Sequence, residues 1–331
     1  MRWHRLARGP ESDRIRAFAD AVGGPDVPDA RLPPGDDAVS FGLPEDEAVV
    51  LTSDAFAEGI HFRREWTGWE AIGHHAAAGT LSDLAACAAR PVGILVSILL
   101  PPELETPVLT ALGRGVGACL EEAETSLLGG DLSSSESGVT LDMTAAGGAV
   151  EPVGRDGARP GDELWVTGEL GGAAAAVADW TSGLEPEPSA RRAFTRPTPR
   201  LREARWLDER VELRAMIDIS DGLATDVRHL AAASGAGAVL EEEALPLAAP
   251  LRDYGNRAQA RKMALAGGED YELLFAAPPD RTGELEAAFE ETHGTALTRV
   301  GTVRREQGVT LRGADGEERP LSLSGFDHFR R

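Results

Sequence analysis

Ala48-Val49-Val50-Leu51-Thr52-Ser53-Asp54 is the stretch that decides the fold. Four apolar residues in succession read as a short buried strand, and the polar triplet behind them ends that strand at a polar site. Working outward, the same arrangement returns. A helix is expected over residues 69–89 and a strand over 92–100, which Pro101-Pro102 breaks. A second helix is expected over 104–123, and a strand over 125–128 runs into Gly129-Gly130-Asp131, with another strand over 139–145. Upstream, Ile15, Phe18, Ala19 and Val22 stand at helical spacing, and a loop rich in glycine, proline and aspartate fills 23–37.

Residues 151–162 shift to Gly, Pro, Arg and Asp, which places a domain boundary there and divides the chain into 1–150 and 151–331. The second half opens with a strand over 163–167, then Gly168-Glu169-Leu170-Gly171-Gly172 and an alanine-rich helix. A strand over 215–219, a helix over 222–233 and a last clear strand over 271–276 follow. Strands alternating with helices, with acids at the strand ends, give the α/β class: mixed sheets, helices over one face and ligands gathered at one edge.

Composition narrows the function classes. The 331 residues suffice for two domains with cores of their own. With 55 acidic against 33 basic residues the net charge is -22, which repels nucleic acid and anionic membrane. Cys87 and Cys119 lie in apolar helical stretches and read as reduced, buried thiols. The first residues lack a following apolar run of signal-peptide length, and no segment approaches ~18 apolar residues, so a cytoplasmic protein is expected.

Five clusters join carboxylates to glycine or hydroxyl residues: Gly35-Asp36-Asp37, Thr52-Ser53-Asp54, Ser82-Asp83, Gly129-Gly130-Asp131 and Asp218-Ile219-Ser220-Asp221-Gly222. Aspartate oxygens suit hard cations such as magnesium, and glycine lets backbone approach phosphate oxygens. Each cluster also has a plainer reading. The Asp36-Asp37 pair is what chance gives in so acidic a chain, Asp83 suits a helix surface or a local cap, and Asp221 suits a helix N-cap. His61 and Arg155 can each meet a phosphate, and each is equally an ordinary loop or surface residue. The only lysine, Lys262, follows Arg261 and precedes Met263, which excludes a P-loop. Gly113-Arg114-Gly115-Val116-Gly117 falls inside a helix and reads as close helix packing, not as a dinucleotide fingerprint.

Taken together and in order, these segments resemble the thiamine-monophosphate kinase family, within the ATP-binding superfamily of aminoimidazole ribonucleotide synthetase and selenophosphate synthetase. The likeness runs from about residue 35 to the C-terminus. It is carried by Glu58-Gly59-Ile60-His61-Phe62, Leu81-Ser82-Asp83-Leu84-Ala85-Ala86, the stretch from Arg155 to Asp162, Gly267-Gly268-Glu269-Asp270-Tyr271-Glu272 and Gly325-Phe326-Asp327-His328-Phe329, besides the clusters above. Thr80 stands where the family usually has asparagine, and Cys87-Ala88 where it usually has Met-Gly.

The resemblance implies a two-domain chain whose N-terminal domain pairs with its twin in a homodimer with a barrel-like core. It implies several magnesium ions held by Asp37, Thr52, Ser53, Asp54, Asp83, Asp131, Asp218 and Asp221. Gly130, Asp131, Arg155 and Ser220 are implied contacts of ATP, and His61, Glu269 and Phe326 of thiamine monophosphate. No nucleophile or base is assigned, because the acceptor phosphate is already ionised at neutral pH and catalysis then rests on position and charge. Two other readings stand beside this one: a synthetase of the same superfamily, and a non-catalytic metal-binding or maturation protein.

Overall fold

The computed structural model describes residues 9–24, 27, 32, 38–279, 284–323 and 325, and the chain divides into two compact units, Met1–Leu84 with Ala89–Pro152, and Ala85–Ala88 with Val153–Arg331.

The first unit contains α1 (Pro10–Val22), β1 (Ala48–Ala57), α2 (Trp69–Ala86), β2 (Arg90–Leu100), α3 (Thr106–Glu122), β3 (Ser126–Ser134) and β4 (Thr140–Ala149). Its strands form one sheet in the order β1-β4-β2-β3, antiparallel except for β2 with β3. Strand β1 does not stop at its polar triplet. It continues to Ala57 because Thr52, Ser53 and Asp54 pair in register with Ala145, Thr144 and Met143 of β4. Likewise β3 runs through Gly129-Gly130-Asp131 to Ser134, paired with β2. The acids therefore lie within strands, where the expectation put them at strand ends. Backbone pairing to a long neighbour outweighed the loss of apolar side chains.

Helix α3 carries its glycines where other helices press on it. A Cβ on Gly115 would lie 1.8 Å from the Glu70 carbonyl oxygen, and one on Gly117 would lie 2.1 Å from that of Val22. The close helix packing read from residues 113–117 is what these contacts show. Helix α2 ends at Ala86, short of the expected 89, as Ala88 turns into the left-handed region at φ 53°.

The second unit contains β5 (Glu163–Thr167), α4 (Gly172–Thr181), α5 (Pro188–Thr195), α6 (Leu201–Arg210), β6 (Ala215–Asp218), α7 (Leu223–Ala233), β7 (Gly237–Glu241), α8 (Ala249–Arg252), α9 (Arg257–Ala266), β8 (Leu273–Ala277), α10 (Leu285–His293), β9 (Leu297–Arg304), β10 (Gly308–Arg312) and β11 (Glu318–Pro320). The strands form one mixed sheet in the order β11-β10-β7-β9-β5-β8-β6. Leu164, Val166, Ile217, Leu223, Val227 and Leu274 belong to its core, so α7 is held against the sheet by its apolar face. Strands β9 to β11 follow the segment expected to be the last clear strand; their alternation of small, charged and apolar residues gives a weak signal in sequence.

Candidate phosphate and cation sites

In the first unit, residues from two separate motifs meet. Asp83, on α2, accepts a hydrogen bond from the Thr52 hydroxyl of β1. Asp54 stands two residues further along, on the same side of the strand as Thr52. Its carboxyl is pushed up to about 6 by burial first, then by the charges of Asp83 and Asp142. A carboxyl raised by burial and by neighbouring charges is one a hard cation relieves, and the oxygens of Thr52, Asp54 and Asp83 are the donor type such a cation takes. The residues present fit magnesium. Among the described residues, however, three or more His, Cys, Asp or Glu side chains nowhere converge closely enough to hold a metal unaided.

Ser53 points to the other side of β1, its hydroxyl 3.2 Å from that of Thr144. Asp131 shares a row of the sheet with Ser97 and Asp142, one step from the row of Asp54, Met143, Val96 and Gly130. Gly130 is required where it stands, because a Cβ would fall 1.9 Å from the Val96 carbonyl oxygen. Beside Gly130 and Asp131 lies a shallow apolar depression walled by Phe18, Ala19, Val96, Ile98 and Leu127. Asp37 lies outside the described residues.

His61 is set by its own loop. The Ala57 N–H donates to His61 Nδ1 at 3.0 Å, so the neutral ring carries its proton on Nε2, the form that donates to an anionic oxygen. The Phe56 ring meets it edge-on at 5.5 Å.

In the second unit, Asp218 ends β6 and is 2% exposed, and Ser220 and Asp221 form the turn into α7. Asp226, in the first turn of α7, was not singled out in the sequence. Its Oδ2 accepts from the Gly222 N–H at 3.0 Å, and its carboxyl is pushed up to about 8 by burial, then by Asp218 and Asp221. The signal was present as an acid four residues behind Gly222, where a helix start favours one. The tail approaches the same turn: the Gly325 N–H donates to the Thr225 hydroxyl at 2.8 Å. Phe326 itself lies outside the described residues. Arg155 is exposed, and its carbonyl accepts from the Ser234 hydroxyl at 3.0 Å.

The segment 267–272 lies against Ile219 and Ser220. Glu269 and Tyr271 both adopt positive φ, 66° and 50°, at roughly 1–2 kcal/mol each for residues with a Cβ. The two acids that follow Glu269 serve the fold. Asp270 accepts from the Gly171 N–H at 2.8 Å at the start of α4, and burial pushes its carboxyl well above the ordinary value. Glu272 is paired with Arg200; burial raises its carboxyl and the guanidinium opposes the rise.

The chain matches the model of the AIR synthase related protein N-terminal domain over residues 35–149 and that of the C-terminal domain over 159–314. It is 32% identical over 301 residues to the thiamine-monophosphate kinase of Salmonella typhimurium, covering 89% of this chain and 91% of that one. The crystal structure of thiamine-monophosphate kinase from Stenotrophomonas maltophilia superposes with a TM-score of 0.81 at 35% identity, over 95% of this chain and 98% of that one. A structure of AaThiL complexed with AMPPCP and TMP superposes with a TM-score of 0.74 at 31% identity, over 89% and 91% of the two chains.

Proposed function

The chain belongs to the thiamine-monophosphate kinase family, and from that membership we propose that it transfers the γ-phosphoryl group of ATP to thiamine monophosphate, giving thiamine diphosphate and ADP. An oxygen of the acceptor phosphate forms the new bond to the γ-phosphorus as the bond to the β–γ bridging oxygen breaks. The observation that carries the reading to this chain is the meeting of Thr52, Asp54 and Asp83, with a carboxyl at about 6 among them. A kinase joining two polyanions needs such residues, because the repulsion between its substrates has to be neutralised before they can approach.

Magnesium, when bound, would supply that neutralisation as a concentrated positive charge. Thr52, Asp54 and Asp83 in the first unit, and Asp218 and Asp221 in the second, are the residues proposed to hold it, with Asp37 as a further donor. Gly130, Asp131, Arg155 and Ser220 are proposed contacts of ATP, Gly130 leaving backbone open to a phosphate. His61, Glu269 and Phe326 are proposed contacts of thiamine monophosphate. His61 would offer Nε2–H to the phosphate, and its Nδ1 bond to Ala57 keeps that orientation.

Pairing of two first units belongs to the same proposal. β1 is an edge strand, and Val49 and Leu51 on it are 60% and 63% exposed, as is Val150 beyond β4 at 61%. An edge strand with exposed apolar residues is an invitation to a second sheet. A cytoplasmic setting is proposed with it; among the described residues no helix is long and apolar enough to cross a membrane.

The test is ADP release from ATP and magnesium, with and without thiamine monophosphate, the product being identified by mass. Thiamine diphosphate formed only when that substrate is present is the expected result. Turnover of ATP with another acceptor, and none with this one, would move the assignment to a relative in the superfamily.

A further inference from the structure

Glu269 stands in a segment that cannot hold its shape by local preference, since Glu269 and Tyr271 on either side of Asp270 both lie in the left-handed region without being glycine. Something outside the segment must fix it. Backbone bonds supply part of the hold. The Glu269 N–H donates to the Ser220 carbonyl at 2.8 Å, the Tyr271 N–H to that of Ile219 at 2.9 Å, and the Ile219 N–H to that of Glu272 at 2.7 Å. Gly268 passes so close that a Cβ on it would lie 2.5 Å from the Ser220 oxygen.

Side chains add to this hold. Within the turn Asp270 is tied to Gly171 at 2.8 Å. On the C-terminal side the Glu272 carboxylate sits in the fork of Arg200, with Nε donating to Oε2 at 2.7 Å and Nη2 to Oε1 at 2.5 Å. The Thr167 hydroxyl donates to Oε2 at 2.6 Å and accepts from the Leu273 N–H at 2.9 Å. Arg200 Nη1 reaches Glu203 at 3.1 Å and Thr295 at 3.4 Å. Side-chain exposures of 15% for Arg200 and 7% for Glu272 place the pair inside the protein.

A buried ion pair is weak support for stability, because desolvating both charges offsets much of their attraction. Its fixed planar geometry is what a neutral or monodentate pair cannot supply. We infer that Arg200 is a positioning residue for the kinase reaction: through its two-pronged pair with Glu272 it holds the left-handed turn that carries Glu269, and so sets the affinity for thiamine monophosphate without touching it. This rests on the reading of Glu269 as a substrate contact.

Arg200→Lys keeps the charge and loses the fork. The expected result is a rise in KM for thiamine monophosphate of about tenfold, with KM for ATP unchanged and kcat nearly so. In a Glu269→Gln background the same substitution should change that KM by less than about twofold, because the residue it positions is already altered. Thr167→Val, which leaves both charges paired, provides a second variant and should raise the same KM by about threefold if Arg200→Lys does not fold. A lower active fraction with both KM values unchanged, or equal shifts in both backgrounds, would reduce Arg200 to a purely structural residue. If Glu269→Gln itself leaves KM unchanged in an enzyme that makes thiamine diphosphate, the reading of Glu269 fails and the inference goes with it. If Glu269→Gln raises KM and neither Arg200→Lys nor Thr167→Val does, the inference alone fails.

Discussion

Asp226 is the carboxyl whose surroundings cost most to ionise among those with a stated value, at about 8 against an ordinary 3.8. A carboxyl raised on folding binds its proton more tightly in the native state. Its contribution to stability is therefore complete below about 4 and is lost as pH rises through about 8. Asp226→Asn keeps an acceptor for the Gly222 N–H and removes the charge beside Asp218 and Asp221. Without added divalent cation, thermal melting should show the variant more stable than the parent at pH 8.5, with the difference closing near pH 4. A variant less stable at both pH values would mean that Asp226 is ionised and needed as an anion. Its place at a helix start was the only signal in the sequence, and among 55 acids its burial is what sets it apart. Asp54 and Asp83 were legible as members of motifs. The bond from the Thr52 hydroxyl that brings Asp83 to the strand of Asp54 was not, because 31 residues separate Thr52 from Asp83. Arg200 likewise stood in none of the motifs, and its partner is 72 residues away.

At the scale of elements, α3 shows how firmly a helix can be placed by the absence of side chains. Gly115→Ala puts a methyl 1.8 Å from the Glu70 carbonyl oxygen, which belongs to the backbone of α2 and has nowhere to give. Overpacking of this kind costs about 1–3 kcal/mol or more, well above the gain of about 1 kcal/mol that Ala brings over Gly in a helix interior. Urea unfolding should therefore show a loss of stability; a gain would mean that α2 and α3 are free to separate. The helices of the first unit were legible because apolar spacing and prolines mark them, as in α1 and at the start of α3, whereas in the second unit only α4 and α7 were. The reach of β1 and β3 was not. Whether Thr52-Ser53-Asp54 ends a strand or continues it depends on the register of β4, almost ninety residues further on, as Asp54 opposite Met143 shows. β9 to β11 were missed for a related reason: their partners, not their composition, make them strands.

For the whole molecule, the exposed side of β1 bears on assembly. Leaving Val49 and Leu51 in water forgoes roughly 1.5–3 kcal/mol for each side chain that a partner would bury. Leu51→Glu should shift the protein to a monomer in sedimentation velocity while its far-UV circular dichroism stays that of the parent. A sedimentation coefficient unchanged by the substitution would remove this face from the interface. The mixed sheets and the family were open to reading from ordered motifs alone, whereas the row on which each acid stands awaited the register of the strands. The most direct measurement is thiamine diphosphate formation by the parent and Asp54→Asn as magnesium is titrated at pH 7.5. Asp54→Asn should lower kcat by about a hundredfold or more, with the half-saturating magnesium concentration displaced upward and the melting temperature without magnesium no lower. A variant that makes product at the parent's rate, with the parent's magnesium dependence, would contradict the claim that Thr52, Asp54 and Asp83 hold the cation on which phosphoryl transfer depends.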